Sequence, residues 1–153
     1  MADDAKEKFE SILDDLENSF ERKKEIWNNT IKELANRLRN KNPKELVDLQ
    51  ADTISQKQMV VDETTDYLVK LAKDTSKKKS LYKSKIEIYK VHPIKLTTGE
   101  MGKMIESDLS LYERKLNIYE AYIEYLRETG KNLEQINYGI KNKIELINQF
   151  GID

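Results

Sequence analysis

The sequence predicts an all-α chain of long helices in a hairpin or coiled-coil-like arrangement that assembles into an oligomer. Three observations carry this expectation. Only five Gly and two Pro occur in 153 residues, too few to punctuate a sheet with turns. Lys, Glu, Leu and Ile, which lose little rotamer freedom in a helix or pack well along one, dominate instead. Aromatic residues make up 8% and eight of the twelve are Tyr, which favours narrow apolar seams over a large dry core.

The first helix is expected over 1–42. Its apolar series runs Phe9, Leu13, Leu16, Phe20, Trp27, Ile31, Leu34 and Leu38, with Lys23 at the one polar step, and its spacings of three and four mark a coiled-coil-type seam. Seven acids against two Lys lie between Asp3 and Glu17, and the remainder is basic on balance. Asn40-Lys41-Asn42-Pro43 ends it, because the residue before Pro is pushed out of the α region while Pro43 is pre-set for a first helical position.

A second helix is expected over 44–90, irregular near Gln50 to Gln58, with a weak seam of Leu46, Leu49, Val60, Tyr67 and Leu71. A helix this polar draws its stability from neighbours. Residues 91–97 read as a connector, and Thr97-x-x-Glu100 as a capping box opening the C-terminal helices, 98–150. There the pattern is strongest: Ile105, Leu109, Tyr112, Leu116, Tyr119, Ile123, Leu126, Gly130, Leu133, Asn137, Ile140, Ile144 and Ile147 alternate in steps of four and three. Gly130 marks a candidate kink, and Asn137 a polar seam position of the kind that selects register or oligomeric state. A seam of this length needs a partner: helix two folded back in an antiparallel hairpin, the same helix in another subunit, or both. Ile105, Leu109, Leu116, Ile123 and Leu126 are therefore assigned to a subunit interface.

Composition removes several functional classes. The absence of Cys excludes disulfides, thiol nucleophiles and thiolate metal sites, and a lone His92 cannot build a His-rich metal site. His92 beside Pro93 reads as a turn residue, and Thr97-Thr98-Gly99 lacks the glycines and the Gly-Lys-Ser/Thr ending of a phosphate loop. No nucleophile–base pair is visible, so the chain is expected to be non-enzymatic and free of cofactors and metals. The N-terminus has no apolar signal region and no segment reaches membrane-spanning length, so a cytoplasmic protein without a membrane partner is expected.

One charge feature stands out. Residues 70 to 90 hold eight Lys against Asp74 and Glu87, a net charge of plus six, within a chain of net charge −1. Such segregation is the footprint of a polyanion site. On a helix, Lys78, Tyr82, Lys85 and Tyr89 share one stripe with Lys79, Lys83 and Lys90 beside it, and Lys77 precedes them. Lys can neutralise phosphates while Tyr rings stack on unpaired bases, the combination expected for single-stranded nucleic acid. The competing reading is a solvated helix face paired with the acids around Asp14 or Asp62.

Residues 48–150 also resemble the UvsY family, the recombination mediator proteins of T-even-type bacteriophages. Tyr82-Lys83-Ser84-Lys85-Ile86-Glu87-Ile88-Tyr89 is similar to the family's pattern of two basic residues two apart, then an aliphatic, an acid and a Tyr. Lys103-x-Ile105-x-x-Asp108 is similar to its basic, aliphatic, acidic helix opening, and Ile136-Asn137-Tyr138-Gly139-Ile140-Lys141-Asn142 to its near-terminal motif. Tyr138 stands where a basic residue is common, and the first 45 or so residues form an extra helix beyond short family members. The resemblance implies a ring-like homo-oligomer that binds single-stranded DNA through Lys83 and Lys85 and helps load a RecA-like recombinase in place of single-strand DNA-binding protein, in a phage-infected bacterial host. The alternative from a different class is a coiled-coil scaffold protein of phage assembly with no nucleic-acid role.

Overall fold

The computed structural model describes residues 2–40, 42–91 and 95–151. These form four helices in the order α1 (Ala2–Arg37), α2 (Pro43–Lys90), α3 (Thr98–Asp108) and α4 (Ser110–Phe150), with no strand among the described residues. No helix among them is long and apolar enough to cross a membrane. His92, read as a turn residue, lies with Pro93 and Ile94 outside the described residues.

The helix ends follow from local chemistry. Asn42 caps α2: its carbonyl accepts from Leu46 N at 3.1 Å and its side-chain Oδ1 accepts from Lys44 N at 3.0 Å, with Pro43 in the first helical position, where a missing N–H is harmless. Thr97, extended at φ −67° and ψ 159°, accepts from Glu100 N through Oγ1 at 3.2 Å and opens α3. Gly151 adopts φ +59° and donates its N–H to Ile147 O at 2.8 Å, a left-handed stop that glycine adopts without a Cβ penalty.

One feature differs from the sequence reading. The 50–58 stretch is an uninterrupted part of α2, because Thr53, at 1% exposure, returns its hydroxyl to Leu49 O at 2.7 Å and so buries without an orphaned donor. The C-terminal helices over 98–150 meet at Leu109, which leaves the α region with φ −99° and ψ 10°. The interruption is a single residue, since Leu109 N still donates to Ile105 O and Leu109 O accepts from Glu113 N, both at 3.0 Å.

The chain divides into two compact units, each assembled from separated segments. The first comprises Met1–Asn18 and Tyr67–Ala121, the second Ser19–Asp66 and Tyr122–Asp153. In the first unit Leu13, Tyr67, Ile105, Leu109, Leu116 and Tyr119 are buried. The Phe9 and Tyr112 rings lie 6.2 Å apart and those of Tyr67 and Tyr119 5.9 Å apart. Arg114 of α4 ties down the N-terminal segment, donating to Asp14 at 2.7 Å and Glu17 at 3.1 Å; these hydrogen bonds to carboxylates hold its guanidinium above its ordinary pKa.

In the second unit the buried line of α1 is Phe20, Trp27 and Leu34, one residue per two turns; Leu46, Leu49 and Val60 of α2 and Tyr122, Ile123, Leu126, Leu133, Ile136 and Ile140 of α4 are buried in the same unit. Phe20 stacks on Tyr122 with centroids 4.3 Å apart. Glu63 of α2 joins the other two helices: it accepts from Trp27 Nε1 at 3.2 Å and from Tyr122 Oη at 2.6 Å, with Lys23 Nζ at 4.0 Å. Burial pushes the Tyr125 phenol up, and its hydroxyl donates to Asn28 Oδ1 at 2.6 Å.

The five residues assigned to a subunit interface are therefore core residues of the single chain: Ile105 and Leu126 are fully covered, and Leu109, Leu116 and Ile123 are 2–6% exposed. The partner that the seam requires is supplied by the chain's other helices, which leaves these side chains no surface for a second subunit.

Gly130 lies within α4 at its contact with Val60, whose Cγ1 would stand 3.7 Å from an added Cβ. That is ordinary van der Waals contact, so the glycine is not required by crowding. Gly130→Ala should raise the urea midpoint, by up to about 1 kcal/mol of stability from helix propensity and reduced chain entropy in the unfolded state. A lowered midpoint would show that the helices need the closer approach.

Candidate nucleic-acid interface

The Lys-rich segment is the second half of α2, in the first unit. Helical periodicity sorts its side chains into two sets with different chemistry. The inward line is Tyr67, Leu71, Asp74, Lys78, Tyr82, Lys85 and Tyr89, of which Tyr67 is buried and the rest are half-buried. Its charges are matched by residues of α3 and α4. Asp74 pairs with Lys115 at 3.2 Å, Lys78 with Glu113, and Lys85 with Asp108 at 3.6 Å.

Asp108 also accepts from Tyr89 Oη at 2.5 Å. That hydrogen bond, with burial and the carboxylate's charge, raises the Tyr89 pKa, so the phenol stays protonated and donating. Tyr82 and Lys78 face a cavity of about 410 Å³ shared with Glu106, Leu109 and Glu113. Two carboxylates beside its one Lys make it a poor seat for an anion.

The outward set is Lys77, Lys79, Lys83 and Lys90, all exposed, with Lys70 and Lys73 before them. Lys90 pairs along its own helix with Glu87 at 3.5 Å, and Lys70 lies 5.0 Å from the centroid of the Tyr67 ring. Lys77, Lys79 and Lys83 have no carboxylate partner among the described residues. Lys79, Lys83 and Lys90 lie along one edge of the exposed face, Lys73 and Lys77 along the other. Lys77 to Lys83 spans about 9 Å of helix axis, a length over which three mobile ammonium groups can reach neighbouring phosphates.

The structure thus separates residues that the sequence placed together. Lys78, Lys85, Tyr82 and Tyr89 belong to the internal face, and their pairing groups are Glu113 and Asp108 rather than the acids around Asp14 or Asp62. Asp14 is engaged by Arg114, and Asp62 accepts from Gln58 Nε2 at 2.9 Å. Glu113 was not singled out in the sequence, and Asp74 and Asp108 figured there only as a counter-charge and as the acid of the helix-opening motif; nothing in their spacing signals a partner on another helix. Of the two lysines that the family resemblance implies for DNA contact, Lys83 is exposed and Lys85 is held by Asp108. Among protein-family models, curated proteins and solved structures, none matches the chain.

Proposed function

We propose that the chain binds single-stranded DNA through the exposed lysines of α2 and acts without catalysis as a recombination mediator, assembling a RecA-like recombinase where single-strand DNA-binding protein had been. The observation that carries the binding step is that Lys77, Lys79 and Lys83 stand exposed and, among the described residues, without carboxylate partners, while lysines one turn away on the inward line are paired. Cations left free in this way supply the sequence-independent, salt-sensitive attraction on which strand binding rests. The mediator step draws its support from the resemblance of residues 48–150 to the UvsY family.

Each lost phosphate contact on a single strand flattens the slope of log affinity against log salt by about 0.7. Replacing Lys77, Lys79 and Lys83 by Ala should therefore reduce that slope by about 2 if all three make contact, weaken binding to all sequences alike and leave helicity intact. Lys85→Ala, which removes a cation already held by Asp108, should change the slope far less. The mediator step is tested by following recombinase filament growth on DNA pre-covered with single-strand DNA-binding protein, with the parent chain and with the triple variant. A triple variant that binds as tightly as the parent, with the same slope, would overturn the DNA reading and favour a coiled-coil scaffold, for which the internal pairing of Lys78 and Lys85 is sufficient use of the charge.

A further inference from the structure

The first half of α2 carries two seams, and only one is covered inside the chain. Leu46, Leu49, Thr53 and Val60 form the buried one. On the outer side, Val47, Ala51, Ile54, Gln58, Val61 and Thr65 follow the same alternation of four and three, and all six are exposed, Val47 and Ile54 at 54% and Val61 at 47%. A solvated helix face has no need of β-branched residues at intervals of seven. Beside this strip runs a groove of about 400 Å³, floored by Val60, Val61 and Thr65 of α2 and by Leu126 and Gly130 of α4.

We infer that two copies of the chain pair through this face of α2, helices parallel about a two-fold axis and in register. Charge on the flanks selects the occupant and its direction. One flank of the strip carries Asp48, Ser55 and Asp62, and the other Gln50, Lys57 and Thr64. In a parallel pair each flank meets the opposite flank of the partner helix, setting Lys57 against Asp62 of the second copy and Gln50 against its Ser55, twice by symmetry. An antiparallel pair brings like flanks together and places Asp48 near Asp62 of the second copy. Lys57 already pairs with Glu134, and with three N–H donors it can bridge a second carboxylate.

Gln58 supplies a register mark. In a parallel pair it faces its own equivalent, and an amide can both donate to and accept from a second amide. Its donation to Asp62 leaves one N–H and the carbonyl available. A polar residue at one inner position is a known means of selecting alignment in such pairs. The pairing rests on the second unit alone and requires no nucleic acid.

Sedimentation equilibrium of the full chain without DNA should show a dimer, and Ile54→Asp/Val61→Asp should lower the association constant at least tenfold while keeping the helical signal, because both side chains lie outside the core. Asp62→Lys should also weaken it, by facing Lys57 of the second copy. The chain contains no Cys, so Gln58→Cys introduces a unique thiol that should form an inter-chain disulfide on mild oxidation only if the helices run parallel and in register. A chain that stays monomeric at about 0.1 mM, where any pairing tighter than that value is largely formed, overturns the inference. So does a dimer whose mass survives the double Asp variant, or one that fails to cross-link through Gln58→Cys.

Discussion

Leu116→Asp and Ile123→Asp should each abolish cooperative folding of the packing around them rather than separate intact subunits. Both side chains are nearly inaccessible in the single chain. A carboxylate there must either be buried without a partner or force the helices apart, and either outcome costs several kcal/mol. A domain of this size is stable by only about 5–15 kcal/mol, so the loss consumes much of the whole. Far-UV circular dichroism and urea titration should show reduced helicity and a broad early transition. Leu116→Ala, which leaves a cavity of matching chemistry, should stay folded with stability lower by about 2–5 kcal/mol. Variants that retained full helicity and an unchanged midpoint while losing mass in light scattering would return these residues to a subunit surface.

Removal of the Glu63 carboxylate should be the most damaging polar change in the second unit. Its two oxygens accept from Trp27 Nε1 and Tyr122 Oη, donors carried by residues only 7% and 1% exposed. Glu63→Ala removes the acceptor of both bonds, at about 1–3 kcal/mol for each donor that is left unsatisfied. Glu63→Gln keeps one acceptor oxygen and turns the other position into a donor, so it should recover roughly half of the loss. Trp27, the single tryptophan, reports on the site directly: its emission should shift to longer wavelength in Glu63→Ala under conditions in which the parent is native. An unchanged spectrum and midpoint would mean that solvent serves these donors as well as the carboxylate does.

The helices were legible because their signals are local. Pro43, the Thr97 cap and the apolar alternation along α1 and the C-terminal third each depend on residues within a few turns, and the structure follows them. Partnership was not legible. The alternation from Ile105 to Ile147 shows that a face is covered but not by what, and the covering comes from the chain's own α1 and α2. Charge shows the same limit: eight Lys within 21 residues mark a basic helix, whereas the division into paired Lys78 and Lys85 and free Lys77, Lys79 and Lys83 depends on Asp108 and Glu113, which arrive from elsewhere in the chain. The outer strip at Val47, Ile54 and Val61 was visible as three β-branched residues at intervals of seven, but the Leu46–Leu49–Val60 pattern on the same helix overshadowed it.

The order in which the polypeptide leaves the ribosome gives the long-range contacts a further meaning. Tyr125 reaches Asn28 across 97 residues, Arg114 reaches Asp14 across 100, and Lys143 Nζ donates to Leu38 O across 105. Helical proteins fold fastest when their contacts are local, and these are not. The line Phe20, Trp27 and Leu34 is synthesised about 100 residues ahead of the α4 segment that covers it, which at 5–20 residues per second is an interval of roughly 5–20 s. For that time the stripe can be covered only in part, by the α2 residues made soon after it, such as Glu63, which bonds Trp27, until the C-terminal helix completes the packing.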